Sequence, residues 1–301
     1  MKSSAIGLLD SEMLRVLSPL RLAGHRSMAA AQGRRLAGSR GASLEIADFR
    51  PYVQGDDIRF LDVHALARFD QPLLRLFMDQ RAMAVHIFVD DTPSMRVGTG
   101  EKWLRACQLA AALGFVALNG EDRLSLYKLS VHDGESLKKS LRSLAGAACT
   151  TRMLKWLNAP AESTGPIHPG FIGRCLGRAG FGASVVISDF LDDADWRGML
   201  RGLRAKGQDV IMLQVLSAEE LNPQLSGSMR LRDVEGGVMR SVNASDTTLY
   251  KRNIQRWMDL LRAAAQQMGA SYWLCNTGQM PAAANAAPRF TVVVVLPTPP
   301  F

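Results

Sequence analysis

The run Val85-His86-Ile87-Phe88-Val89 stops abruptly at Asp90-Asp91-Thr92-Pro93-Ser94-Met95. Five consecutive residues, mostly β-branched or aromatic, read as a buried strand. Open α/β sheets bind ligands in the crevice at the carboxyl ends of their strands, which makes the polar residues after Val89 candidates for a site. Asp90, Thr92 and Ser94 are spaced by two, so a tight loop can aim one carboxylate and two hydroxyls at a common point. This is a hard-oxygen set suited to Mg²⁺ or Mn²⁺. The competing reading is a helix N-cap, for which Asp, Thr and Ser are the favoured residues.

Further along the chain, strands alternate with helices. Helical periodicity runs over residues 8–31 and is interrupted by Pro19. Pro72 to Met78 and Val85 to Val89 read as a strand pair, Glu101 to Leu118 as a helix and Arg123 to Leu129 as a strand. Glu135 to Leu144, Thr151 to Leu157 and Phe171 to Arg178 read as helices. The strand Ala183 to Ile187 ends in Ser188-Asp189, followed by a helix from Asp195 to Ala205 and a strand from Val210 to Leu216. Two short runs flanking Glu235-Gly236 suggest a hairpin insertion. A long helix from Thr247 to Met268 and a core strand from Ser271 to Cys275 complete the pattern. This alternation predicts an α/β fold, a doubly wound and mostly parallel sheet of Rossmann type. An N-terminal helical and basic extension and the small β-hairpin are additions to it. The expected divisions are an arm at 1–42, a polar segment at 43–80, the α/β domain at 81–280 and a tail at 281–301.

Composition narrows the class. With 301 residues and 47% hydrophobic content the chain can bury a full core, and no stretch approaches the roughly 18 apolar residues of a membrane helix. The first ten residues hold too short an apolar run for a signal peptide. Cys107, Cys149, Cys175 and Cys275 stand far apart without a C-x-x-C pair, against a zinc site or a disulfide framework. A cytoplasmic location is the expectation. Residues 1–42 carry seven Lys or Arg against Asp10 and Glu12, a local balance of +5 within a net charge of +8. Their basic residues are scattered, with no aromatic residue for base stacking, so a solvated arm is favoured over nucleic-acid binding. The isolated histidines and the helical Trp103 and Trp196 read as packing residues.

A second carboxylate strengthens the first. Asp189 ends another central strand and emerges at the same sheet edge as Asp90 in a parallel arrangement. Thr164, in the polar loop Glu162-Ser163-Thr164-Gly165, offers a third hydroxyl. Together Asp90, Thr92, Ser94, Thr164 and Asp189 resemble the metal-ion-dependent adhesion site of von Willebrand factor A domains, whose usual pattern is D-x-S-x-S, then T, then D. The wider context resembles one bacterial branch of that fold, known only as domain of unknown function fifty-eight. Its G-D-D segment is matched by Glu45, Arg50, Tyr52, Gly55, Asp56, Asp57, Arg59, Asp62, Ala67 and Arg68, with Val63 where the family has Trp. Its I-S-D-F-L-D stands here as Ile187 to Asp192. The resemblance covers about residues 8–275. Thr92 in place of Ser keeps a hydroxyl and adds a methyl, Pro93 stiffens the loop, and Ser163-Thr164-Gly165 replaces the family's Gly-Thr-Asp.

The resemblance implies a non-enzymatic interaction module. Asp90 and Asp189 would hold Mg²⁺ or Mn²⁺ largely through water, with Thr92, Ser94 and Thr164 in closer contact, and a partner's carboxylate would complete the shell. It also implies work as an adaptor or co-chaperone beside a MoxR-type AAA+ ATPase and other von Willebrand factor A-containing proteins, in protein maturation or assembly. The G-D-D segment reads as an internally paired network in which Arg59 and Arg68 each take a carboxylate in bidentate fashion. A second metal site or a nuclease-like cluster is its rival. A haloacid-dehalogenase-type phosphatase is the enzymatic alternative, but it needs an acid/base Asp where Thr92 stands. Nucleic-acid binding through the basic arm is the other alternative.

Overall fold

The computed structural model describes residues 7–22, 46–77, 82–97, 100–129, 140–159, 170–176, 182–192, 194–223, 228–232, 239–243 and 246–278. The chain divides into two compact units, residues 25–82 and the remainder. In chain order the elements begin with helix α1 (Ser11–Leu17). The smaller unit follows with strand β1 (Ile46–Pro51), helix α2 (Val63–Phe69) and strand β2 (Leu73–Phe77). The larger unit continues with β3 (Ala84–Asp90), α3 (Glu101–Asn119), β4 (Arg123–Leu129), β5 (Ser140–Leu144), α4 (Thr150–Leu157), α5 (Gly170–Cys175) and β6 (Gly182–Ser188). It ends with α6 (Trp196–Ala205), β7 (Gln208–Leu216), α7 (Ala218–Leu221), β8 (Ser228–Arg232), β9 (Met239–Asn243), α8 (Asp246–Gln267) and β10 (Ser271–Asn276).

Six strands form the central sheet in the order β10-β7-β6-β3-β4-β5. All neighbours are parallel except β5, which runs antiparallel to β4 at the edge. Along β3, β4, β6 and β7, period-two alternation sends side chains to two separate cores. Val85, Ile87 and Val89 of β3 and Leu124 and Leu126 of β4 face one core, shared with α1, α3 and α4. Phe88, Tyr127 and Val186 face the other, against α5, α6 and α8. The sheet is therefore covered on both faces, which is why its strands read as apolar runs. Helix α3 is buried over most of its circumference and meets this demand with small residues: Ala106, Ala110, Ala111, Ala112, Gly114 and Ala117. At Gly114 any Cβ would collide with Met153 of α4.

After β3 the chain moves outward through β4 and β5, then crosses back to place β6 on the other side of β3. The strand order thus reverses between β3 and β6. In doubly wound sheets this reversal opens a crevice at the carboxyl ends of the two strands. Asp90 ends β3, and Asp189 directly follows β6.

Three expectations are corrected. The segment preceding residue 78 does not pair with residues 85–89; β2 pairs antiparallel with β1, while β3 lies between β4 and β6. Residues 140–144 are not helical but form β5. A register shift against β4 and a left-handed Ser143, at φ 56°, break the period of two there. Leu141 and Leu144 consequently point inward at a spacing of three, which imitates a helix face in the sequence. Within residues 7–22 the first helix covers Ser11–Leu17, capped by Asp10, whose carboxylate accepts from the Met13 N–H at 2.7 Å; residues 23–31 of the expected span lie outside the described residues. Strands β8 and β9 pair as the expected antiparallel hairpin. Most of the basic arm and the tail 281–301 lie outside the described residues.

Candidate functional site

At the end of β3, Asp90 is 2% exposed and organises the loop that follows. Its Oδ1 accepts from the Thr92 backbone N–H at 2.9 Å and from the Thr92 hydroxyl at 2.6 Å. Thr92 Oγ1 lies 2.9 Å from Ser94 Oγ. Thr92 occupies the cap position of a short 3-10 turn, Pro93–Arg96, yet makes no side-chain capping bond. Its hydroxyl faces Asp90 and Ser94 instead, so the capping alternative does not account for it. Pro93 at the start of that turn supplies a fixed φ without forfeiting a needed donor.

The neighbouring strand closes the other side. Val89 pairs with Ile187 in register, which brings Ser188 level with Asp90. Ser188 Oγ donates to Asp90 Oδ2 at 2.5 Å and accepts from the Phe190 N–H at 2.9 Å. Burial first, and the charge of Asp189 second, push the Asp90 carboxyl up to about 7, against the lowering influence of the Ser188 and Thr92 hydrogen bonds. Asp189 is buried too; its Oδ1 accepts from the Leu191 N–H at 3.3 Å and its carbonyl from Gln214 Nε2 at 2.7 Å.

The structure therefore brings Asp90, Thr92 and Ser94 together and sets Asp189 at the same rim within electrostatic reach of Asp90. Thr164 lies outside the described residues. Two carboxylates and two hydroxyls form a hard-oxygen donor set. By the chemistry of its donors, this set fits a divalent cation.

Sequence reasoning missed three participants. Ser188 stood beside Asp189 in the motif but was not assigned a role. Lys102, in the first turn of α3, is 3% exposed and places Nζ 2.9 Å from Asp189 Oδ2 and 2.5 Å from Glu220 Oε1. Burial works against its charge, but the two carboxylates outweigh it and hold the ammonium above its ordinary value. Glu220 belongs to α7, which directly follows β7. Asp91 points elsewhere, paired with Arg96.

The chain matches the family described as "Protein of unknown function DUF58" over residues 48–260. It belongs to the DUF58 family. Relatives include the uncharacterized proteins Rv1480 of Mycobacterium tuberculosis and Mb1516 of Mycobacterium bovis, each 28% identical over 206 residues, or 66% of this chain. The chain spans 63% of the length of these relatives. Among solved structures it is similar to a conserved hypothetical protein, BatB, from Bacteroides thetaiotaomicron. That likeness is 12% identical with a TM-score of 0.41, covering 70% of this chain and 98% of that one. A second is an aerotolerance-related membrane protein from Bacteroides fragilis, 14% identical with a TM-score of 0.42, covering 69% and 96%.

The G-D-D segment of this DUF58 chain lies in the smaller unit. Arg50 clasps Asp56 through two bonds of 2.7 and 2.8 Å, and the Val53 N–H donates to the same carboxylate at 2.9 Å. Gly55 sits at φ 104°, a backbone conformation that a side chain would strain. Asp57 caps the turn Ile58–Phe60 and takes Arg59 in bidentate fashion. Asp62 caps α2 and meets Arg75 at 3.1 Å. Asp56, Asp57 and Asp62 thus each have their own guanidinium, as an internally paired network requires. The expected pairing of Arg68 is corrected: Arg75, across the unit on β2, meets Asp62 instead. Arg68 sits in the last turn of α2, more than one helical turn beyond the carboxylate at the cap. Glu45 lies outside the described residues.

Proposed function

We propose that this chain is a non-enzymatic protein-interaction module built on a von Willebrand factor A-like domain, with an adhesion-type site at the crevice between β3 and β6. The observation that carries the reading is the convergence of Asp90, Thr92 and Ser94 on one point, tied by Ser188 to the strand that bears Asp189. Asp90 and Asp189 would hold Mg²⁺ or Mn²⁺, with Thr92 and Ser94, and Thr164 from its own loop, completing the protein's share. Such a cation, held mostly by neutral oxygens, would supply a positive charge that a partner's carboxylate could meet. The chain's residues do the positioning. Asp90 Oδ1 fixes the Thr92 hydroxyl, Thr92 fixes Ser94, and Ser188 holds the carboxylate from the opposite side. Every group serves as a ligand or a positioner, so the reading asks for no nucleophile and no base.

The family resemblance supports the finer form of the proposal, an adaptor or co-chaperone for a MoxR-type AAA+ ATPase and other von Willebrand factor A-containing proteins. A haloacid-dehalogenase-type phosphatase is disfavoured. The residue two positions after Asp90 is Thr92, and Asp192 is engaged by the Trp196 indole N–H at 2.7 Å. Capture of the native complex from its host, with and without chelator, tests the reading. Partners should be retained by the wild type and lost with chelator or with Asp90→Ala. Equal retention in all conditions sinks the metal bridge.

A further inference from the structure

The proposed cation site already contains a cation. Lys102 reaches across from α3 to Asp189 and Glu220, residues 87 and 118 positions away in sequence. Neither acceptor is loosely placed. Glu220 Oε2 accepts from the Ser217 N–H at 2.8 Å while the Glu220 N–H donates to Ser217 Oγ at 3.1 Å, a reciprocal capping box that fixes α7. Asp189 is pinned by Leu191 and Gln214. A buried ammonium is retained only where well-placed acceptors repay its lost hydration. Here two carboxylates do so, Asp189 just after β6 and Glu220 on α7, the helix that follows the neighbouring β7.

This pairing sets a conflict. Asp189 Oδ2 is the atom the ammonium uses, and Asp189 is one of the two carboxylates assigned to the divalent ion. Like charges a few ångströms apart repel strongly where water is excluded. Among the described residues Asp90, by contrast, accepts hydroxyl and amide hydrogens rather than an ammonium, so Lys102 sits on the Asp189 side of the crevice.

Resting on the adhesion-site reading, we infer that Lys102 is a resident counter-cation that competes with the divalent ion for Asp189 and keeps metal affinity low. Metal binding then requires the ammonium to leave Asp189, and Glu220 provides the carboxylate that retains it. The occupancy of the site is set by this exchange.

The test is Mn²⁺ binding to the full chain, followed by calorimetry and by the electron paramagnetic resonance signal of free Mn²⁺. Lys102→Gln, which keeps a hydrogen-bond donor, should bind about tenfold tighter than wild type or better, the order expected from removing one nearby charge. Lys102→Met with Glu220→Gln removes the ammonium together with one of its acceptors, and serves if the single variant does not fold. It should show the same gain, and adding Asp90→Asn to either should abolish it. Wild type and folded Lys102 variants binding Mn²⁺ equally would overturn the role of Lys102 and leave the adhesion site standing. Folded variants and wild type all failing to bind would overturn both.

Discussion

Ser188 Oγ donates to Asp90 Oδ2 at 2.5 Å, joining the carboxyl ends of two parallel strands whose side chains are both almost wholly buried. The same hydroxyl accepts from the Phe190 N–H, in a residue held at a left-handed φ of 50°. Ser188→Ala therefore orphans a buried carboxylate oxygen and a buried amide at once. Leaving such groups unsatisfied costs about 1–3 kcal/mol. Urea denaturation should show a lower midpoint with an unchanged slope. An unaltered midpoint would mean that the bridge contributes nothing.

Asp90→Asn is expected to act in the opposite direction. Asp90 is a desolvated carboxylate near Asp189, and burial and that charge disfavour its ionised form. An amide keeps an oxygen for Thr92 and an acceptable partner for Ser188 without the charge. In chelator-treated buffer at neutral pH the variant should melt several degrees above wild type, while losing any chelator-sensitive partner. Stability held back for a site is the ordinary trade between activity and folding. A melting temperature at or below that of wild type would argue that Asp90 is not under electrostatic stress.

The β3–Asp90 junction and the strand before Asp189 were legible because burial on both faces leaves an unmistakable apolar run, and the fold rule for such sheets says where its ligands go. Residues 140–144 misled because a bulge and a left-handed Ser143 gave a strand the inward spacing of a helix. Strand β2 misled because adjacency in sequence suggested pairing with β3, while its partner β1 lies on the other side of α2. Lys102 left no local trace at all. A lysine in the first turn of a helix ordinarily faces water, and only the topology, by bringing β6 and α7 to the same rim, shows its two carboxylates.

His86 gives the larger unit a dependence on pH. It lies on β3 beside Tyr127, its Nδ1 3.4 Å from the phenol oxygen, and its Nε2 finds no partner among the described residues. Burial, with a smaller contribution from the charge of Arg142, lowers its pKa from 6.5 to about 4. Between those values the unfolded chain binds the extra proton, so stability rises with pH across the interval and is lost as pH falls through about 4. Across pH 4 to 7 the slope of thermal midpoint against pH should be less positive for His86→Phe than for wild type, because the raised Asp90 carboxyl acts in the opposite sense in both. Identical slopes would assign the dependence to other groups.

Asp62 tests whether the G-D-D segment is a structural network. Its Oδ1 accepts from the His64 and Ala65 N–H groups at 2.9 and 3.1 Å and from Arg75 at 3.1 Å, so one oxygen caps α2 and also ties it to β2. The Arg75 hydrogen bond, aided by the two capping amides, holds its carboxyl down at about 2. Asp62→Ala removes the cap and the tie together, whereas Asp62→Asn keeps an oxygen for the cap and loses the charge. Hydrogen exchange should therefore quicken across Val63–Phe69 and Leu73–Phe77 in the Ala variant, and less in the Asn variant. Residues 182–188 and 208–216, in the other unit, should stay protected in both. Unchanged protection of α2 in the Ala variant would show that Asp62 holds nothing together, and would return the cluster to the alternative of a ligand site.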